Sequence, residues 1–189
     1  MLRRIPWKLA NCTHWVMQDL RRSHGSIRSA TVFTMNSDVH RLIVELKYHN
    51  RRAHAAALGR LLAEAIRTDT TVDVEKFDFV TWAPTSSAHR RRRGFDQAEL
   101  IARHAAPHLD IPVRALLRRR GSIAQTGRSR RDRLSGPVFV AHRAACGARV
   151  LVIDDVTTTG ATLRAARRAF RSVGAELTVC WAVAATPAR

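Results

Sequence analysis

Val150-Leu151-Val152-Ile153-Asp154-Asp155-Val156-Thr157-Thr158-Thr159-Gly160-Ala161-Thr162-Leu163 is the stretch on which the fold turns. The unbroken apolar run Val150 to Ile153 reads as a strand buried on both faces, the kind found inside a parallel sheet. Leu163, Ala166, Phe170 and Val173 recur at helical spacing up to Gly174, so a helix follows almost at once. Two carboxylates and a Thr/Gly turn lie between strand and helix. Such a turn at a helix amino terminus is an anion site: N–H groups and hydroxyls converge, glycine allows close approach, and the helix dipole favours a phosphate monoester. Thr157, Thr158, Thr159, Gly160, Ala161 and Thr162 are the candidate phosphate ligands. Asp154 and Asp155 cannot bind that phosphate, so they are expected to face ribose hydroxyls or a magnesium ion.

Strands and helices alternate outward from this segment. Leu177 to Val183 supplies the next strand, and Phe77 to Ala83 is an earlier one that stops at Pro84. Residues 85–94 read as a long polar, arginine-rich loop. Ala98, Ile101, Ala102 and Ala105 then define a helix, with Asp96 and Glu99 as a variant capping box. Val39, Leu42, Ile43 and Leu46 mark one helix and Leu58, Leu61, Leu62, Ala65 and Ile66 a second, joined through Tyr48 to Arg52. The alternation predicts a doubly wound α/β sheet with its ligand at the carboxyl ends of the strands. Residues 1–35 show no clean periodicity and are expected to form an irregular arm, leaving 36–189 as the folded domain.

The 189 residues suit one domain, and 46% hydrophobic with 25% charged residues excludes a disordered polar chain. No run approaches the roughly 18 apolar residues of a membrane span, and Arg3, Arg4 and Lys8 interrupt the start of the chain where a secretory signal would be apolar. A cytoplasmic location without membrane partners is expected. Cys12, Cys146 and Cys180 form no C-x-x-C pair, and His89, His104 and His108 read as surface or cap residues, so neither a zinc ribbon nor a disulfide framework is expected. A formal net charge of +18 predicts a field that gathers polyanions or phosphorylated small molecules. Lys8, Lys47 and Lys76 are the three lysines among 33 Lys and Arg, the other 30 being arginine. Lys47 reads either as a complement to a helix dipole or as a ligand contact. Arg164, Arg167, Arg168 and Arg171 fall on one helical stripe and read as a solvated face, with nucleic-acid contact as the alternative.

The Val150–Leu163 segment resembles the phosphoribosyl pyrophosphate (PRPP) signature of type I phosphoribosyltransferases, and no G-x-x-x-x-G-K P-loop competes with that reading. A second segment, Ala83-Pro84-Thr85-Ser86-Ser87-Ala88-His89-Arg90-Arg91-Arg92-Arg93-Gly94-Phe95-Asp96-Gln97-Ala98, resembles the Pro turn and Arg-Gly-Phe-Asn-Gln-Ala stretch of the ComF family, with Asp96 in place of the Asn. Leu46-Lys47-Tyr48 resembles that family's Leu-Lys-Tyr element, and Gln125 and Arg133 resemble its hood positions. Two departures stand out. Cys12 has no companions where the family usually carries a four-cysteine zinc module, and Arg133 is followed by Leu134-Ser135-Gly136-Pro137 rather than a nearby Asn.

The resemblance implies a type I phosphoribosyltransferase fold, a mainly parallel sheet flanked by helices, whose segment 118–136 is expected to be a mobile hood. It implies PRPP as substrate with magnesium as cofactor, the ion carried by PRPP rather than by protein ligands. Asp154 and Asp155 would be the catalytic pair, Thr157 to Thr162 the 5′-phosphate site, and Thr85, Ser86 and Arg93 the pyrophosphate site. The implied activity is pentosyl transfer to or from an unidentified acceptor, a glycosyltransferase reaction. The rival expectation is a nucleic-acid-associated competence or DNA-uptake protein that uses the fold to sense PRPP or a nucleotide; a non-catalytic regulator of nucleotide synthesis and a homo-oligomer are also left open.

Overall fold

The computed structural model describes residues 29–34, 37–49, 51–120 and 136–185. Residues 121–135 of the expected hood, including Gln125 and Arg133, lie outside them, as do residues 1–28 and 35 of the expected arm.

The apolar run Val150 to Ile153 lies within β5 (Arg149–Thr157), an inner strand of a four-stranded parallel sheet. It pairs with β2 (Phe79–Trp82) on one side and β6 (Leu177–Ala185) on the other; β1 (Ser29–Thr34) adds to the far side of β6, giving the order β1-β6-β5-β2. Residues 29–34 therefore belong to the sheet, and the boundary expected at residue 36 moves to the start of β1. A strand hydrogen-bonded along one side at the end of a sheet needs no continuous apolar run, which is why this one escapes a periodicity search.

Period-two alternation sends successive β5 residues to opposite sides. Leu151 and Ile153, with Val179, Trp181 and Val183 of β6, form the core under α1 (Ser37–Tyr48), α2 (Ala53–Thr68) and α4 (Gln97–Leu109). Val150 and Val152, with Cys180 and Ala182, pack on the other side beneath Leu163, Ala166 and Phe170 of α5 (Ala161–Ser172). Helices thus cover both faces, and the core apolar area excludes water from β5 between Val150 and Asp154. Glu45 of α1 meets the His54 ring of α2 at 2.6 Å, closing the helical pair.

Two features depart from the sequence expectation. Residues 85–94 are not all loop: Ser87–Arg93 forms the short helix α3, capped by the Ser86 hydroxyl, which accepts from the His89 N–H at 3.2 Å. Gly94 ends it at φ 78°, a left-handed conformation that costs glycine nothing. Residues 118 and 119 are likewise in β3 (Leu117–Arg119), which pairs antiparallel with β4 (Phe139–Ala141) as a two-stranded ribbon beside α5.

Candidate functional site

Because β5 runs past the edge of its apolar core, its last residues are polar yet still held in register. Asp154 pairs with Ala182 of β6 and is only 6% exposed; Asp155, one step on, is partly exposed. The Asp154 Oδ1 accepts the Asp155 N–H at 2.9 Å, and the Asp155 Oδ1 accepts the Val156 N–H at 2.7 Å. Burial, reinforced by the neighbouring Asp155 charge, pushes the Asp154 carboxyl well above the usual carboxylate range, against the opposing pull of Lys47. The two adjacent acids are therefore unequal: Asp154 favours its proton, whereas Asp155 holds an ion pair, its Oδ2 lying 2.7 Å from the Lys47 Nζ.

The Thr/Gly turn follows directly. Thr158 and Thr159 are exposed, Gly160 is buried with φ 70°, and α5 begins at Ala161. Here the glycine is required by conformation, since the chain turns through the left-handed region to enter the helix. Arg164 donates to the Thr159 carbonyl at 2.6 Å and the Ala161 N–H to the Thr159 hydroxyl at 3.4 Å, so the turn is braced from the helix it opens. Thr162, on the first turn of α5, faces the same cleft as the carboxylates.

Opposite stands the loop after β2. Asp96 is 2% exposed and caps α4, its Oδ1 accepting the Ala98 and Glu99 N–H groups at 3.1 and 3.4 Å. Its Oδ2 accepts the Thr85 N–H at 2.7 Å, so the amide expected to donate to pyrophosphate is committed to Asp96, and the Ser86 hydroxyl is committed to capping α3. Burial raises the Asp96 pKa despite the N–H bonds from Thr85 and Glu99, which pull it down. Among Arg90 to Arg93, Arg90 pairs with Glu99 at 3.4 Å and Arg91 and Arg92 are exposed. Arg93 turns inward, donating to the Gln97 Oε1 at 2.8 Å and stacking 5.4 Å from the Tyr48 ring centroid.

These pieces line one cleft of about 220 Å³ at the carboxyl ends of β2 and β5, with Thr85, Arg93, Asp154, Asp155 and Thr162 all on its wall. Of the remaining phosphate-turn candidates, Thr157 to Ala161 continue the chain between Asp155 and Thr162 without lining the cleft themselves. Lys47, His89, Gln97 and Arg119 also line it. Arg119 lies in the arginine-rich stretch expected to form the hood, and three residues of ribbon are too short to give a readable alternation. Burial lowers its pKa while Asp154 raises it, an inward-facing guanidinium near the acids. His89 titrates below the usual imidazole range because of desolvation and the cations around it, Arg93 first among them.

The family model described as "Phosphoribosyl transferase domain" matches residues 96–189, which contain β5, the Thr/Gly turn and α5. Over 151 residues the chain is 29% identical to "Competence protein F" of Haemophilus influenzae, a match covering 76% of this chain and 66% of the relative. It is 26% identical over 172 residues to "Competence protein ComFC" of Streptococcus pneumoniae, covering 89% of this chain and 71% of that one. These matches, with the phosphoribosyltransferase domain, support a ComF-like, phosphoribosyltransferase-like protein. Its aligned part spans about two thirds of the Haemophilus relative. The fold of the chain is also that of the glutamine PRPP amidotransferase from B. subtilis, at TM-score 0.50 and 22% identity over 85% of this chain and 32% of that one. Of the ComF-like motifs, Arg-Gly-Phe contributes its Arg to the cleft and its Phe to the core, where Phe95 is 7% exposed beneath Arg52. The Leu-Lys-Tyr element divides in the same way: Leu46 is buried, Lys47 reaches Asp155, and Tyr48 lies 64% exposed against Arg93.

Proposed function

We propose that the cleft binds PRPP with magnesium and that the protein catalyses phosphoribosyl transfer to or from an acceptor. The observation that carries this reading is the Asp154–Asp155 pair at the end of a central strand, followed within one turn by the amino terminus of α5 and faced by Lys47, Arg93 and Arg119. The Thr157 to Thr162 turn suits the 5′-phosphate, the carboxylates suit the ribose hydroxyls, and the cations suit the pyrophosphate. In transfer, the bond from the anomeric carbon to a pyrophosphate oxygen breaks, a bond from the acceptor forms, and pyrophosphate leaves with the electron pair. The chain's own contribution is to position the ribose, keep water away and neutralise charge.

Among the described residues no cluster of three or more His, Cys, Asp or Glu is placed to hold a metal. Two adjacent carboxylates, one already ion-paired, are too few oxygens for octahedral magnesium but suit an ion that arrives with ligand oxygens. Bound in that way, magnesium would neutralise the departing pyrophosphate.

The experiment is thermal denaturation with PRPP and magnesium, followed by a panel of bases scored by pyrophosphate release. At a hundredfold excess over Kd, linkage is worth about 2.7 kcal/mol, several degrees for a domain of this size. Asp154→Asn combined with Asp155→Asn should abolish the shift. An unchanged melting curve with saturating PRPP in the wild type refutes the reading.

A second reading, a competence or DNA-handling role, draws on the relatives' names, on the net charge of +18, and on the exposure of Arg164, Arg168 and Arg171 along α5. DNA binding through those arginines would weaken linearly in log Kd against log salt, and their replacement would flatten the slope. Among the described residues no helix is long and apolar enough to cross a membrane; a cytoplasmic setting accords with a PRPP-dependent reaction.

A further inference from the structure

We infer that Lys47 is a built-in cation of the cleft, joining Asp155 to the ligand's oligophosphate and so carrying part of the charge neutralisation otherwise left to a divalent metal. This rests on the reading of the cleft as a PRPP site. Lys47 comes from the last turn of α1, outside the segment matched by the phosphoribosyltransferase family model. A lysine that merely complements a helix dipole extends into water, as Lys76 does in its exposed pair with Asp73. Lys47 instead turns into the cleft, and its side chain and that of Asp155 are only 19% and 17% exposed.

The partner is held still. Asp155 Oδ1 accepts the Val156 N–H, leaving Oδ2 aimed at the ammonium 2.7 Å away. An ammonium has three N–H donors, and this carboxylate oxygen uses one of them. The cleft also presents Arg93 and Arg119, so a ligand oxyanion that enters meets cations from three separate elements. Residue choice points the same way: in a chain with ten arginines per lysine, this position carries the compact charge with rotatable donors, which bridges two oxyanions without the coplanarity a guanidinium fork demands. A divalent ion approaching Asp155 would meet that ammonium first, so Lys47 and the metal share the work of holding the same anion.

The test is calorimetric titration of the purified full chain with PRPP and, separately, inorganic pyrophosphate, each in magnesium and in EDTA. Wild type is expected to bind PRPP in EDTA within about tenfold of its affinity in magnesium. Lys47→Met should raise that EDTA-to-magnesium Kd ratio by at least about tenfold, the scale of a lost charged hydrogen bond. Lys47→Gln keeps a donor for Asp155 without the charge and should raise the ratio equally, serving if the Met variant does not fold. Equal ratios in wild type and variants overturn the inference while leaving PRPP binding intact, as does wild-type binding that vanishes in EDTA. Absence of PRPP binding by folded wild type under both conditions overturns the underlying reading and this inference with it.

Discussion

The Asp96 carboxylate spans two elements, accepting the Thr85 N–H at 2.7 Å from the loop after β2 while capping α4 through its other oxygen. Both oxygens are used as acceptors, which an asparagine cannot reproduce, since its amide nitrogen would face one N–H donor with another. Asp96→Ala should lower unfolding stability by about 2 kcal/mol through the lost cap and the stranded Thr85 amide, and Asp96→Asn by roughly half as much. Denaturant midpoints at unchanged m-value are the measurement; a loss within error for both variants would show that the loop does not depend on this bond.

Asp154 makes the opposite prediction. Its folded-state pKa stands above the ordinary 3.8 because of burial and the Asp155 charge. The native state therefore binds more protons than the unfolded chain between that value and the raised one, and stability falls as pH rises through the window. Below pH 4 both states are protonated and the cost disappears. Asp154→Asn should accordingly raise the melting temperature at pH 8 and leave it nearly unchanged near pH 4, while removing stabilisation by PRPP. A variant less stable than wild type at pH 8 would mean that the carboxylate has compensating partners.

Much of this site was legible because β5 and α5 carry long, unambiguous patterns: four apolar residues in a row, then Leu163, Ala166 and Phe170 on one face. The acids and the Thr/Gly turn stand out by contrast with that apolar frame. What escaped did so for physical reasons. Helix α3 has no buried residue and depends on the Ser86 cap and the Gly94 stop, signals worth little without periodicity. Arg119 points inward because Leu117 is buried against the ribbon partner two residues earlier, a tertiary fact invisible in Leu-Arg-Arg. Lys47 lies far along the chain from Asp155, and nothing local announces their meeting.

Arg119→Ser should leave the fold intact, since β3 is a ribbon strand and its guanidinium has no role in the hydrophobic core. It should weaken PRPP binding about tenfold, the scale of one charge-assisted hydrogen bond. Calorimetry reads the loss; affinity equal to wild type would place Arg119 outside the ligand's reach.

Cys180 is buried against α5, and desolvation pushes its thiol up to about 12, whereas Cys146 is exposed. Thiolate is the reactive form, so in a Cys12→Ser, Cys146→Ser background the remaining thiol should be inert to a disulfide reagent at pH 8 until denaturant is added. Rapid native-state labelling would show that α5 opens readily from the sheet.

The cleft draws Lys47, Thr85, His89 and Arg93 from the part of the chain before residue 96, and Asp96, Arg119, Asp154, Asp155 and Thr162 from the segment that carries the family match. The wall of the cleft is therefore shared between two halves neither of which holds it complete. Transplanting residues 96–189 into another protein would move the signature without the Lys47, Thr85, His89 and Arg93 side of the cleft. By thermodynamic reciprocity, a ligand gripped from both sides must also strengthen the seating of α1 on the sheet, so slower amide exchange in Leu42 to Leu46 on ligand addition would register occupancy of a site to which those residues lend only their neighbour.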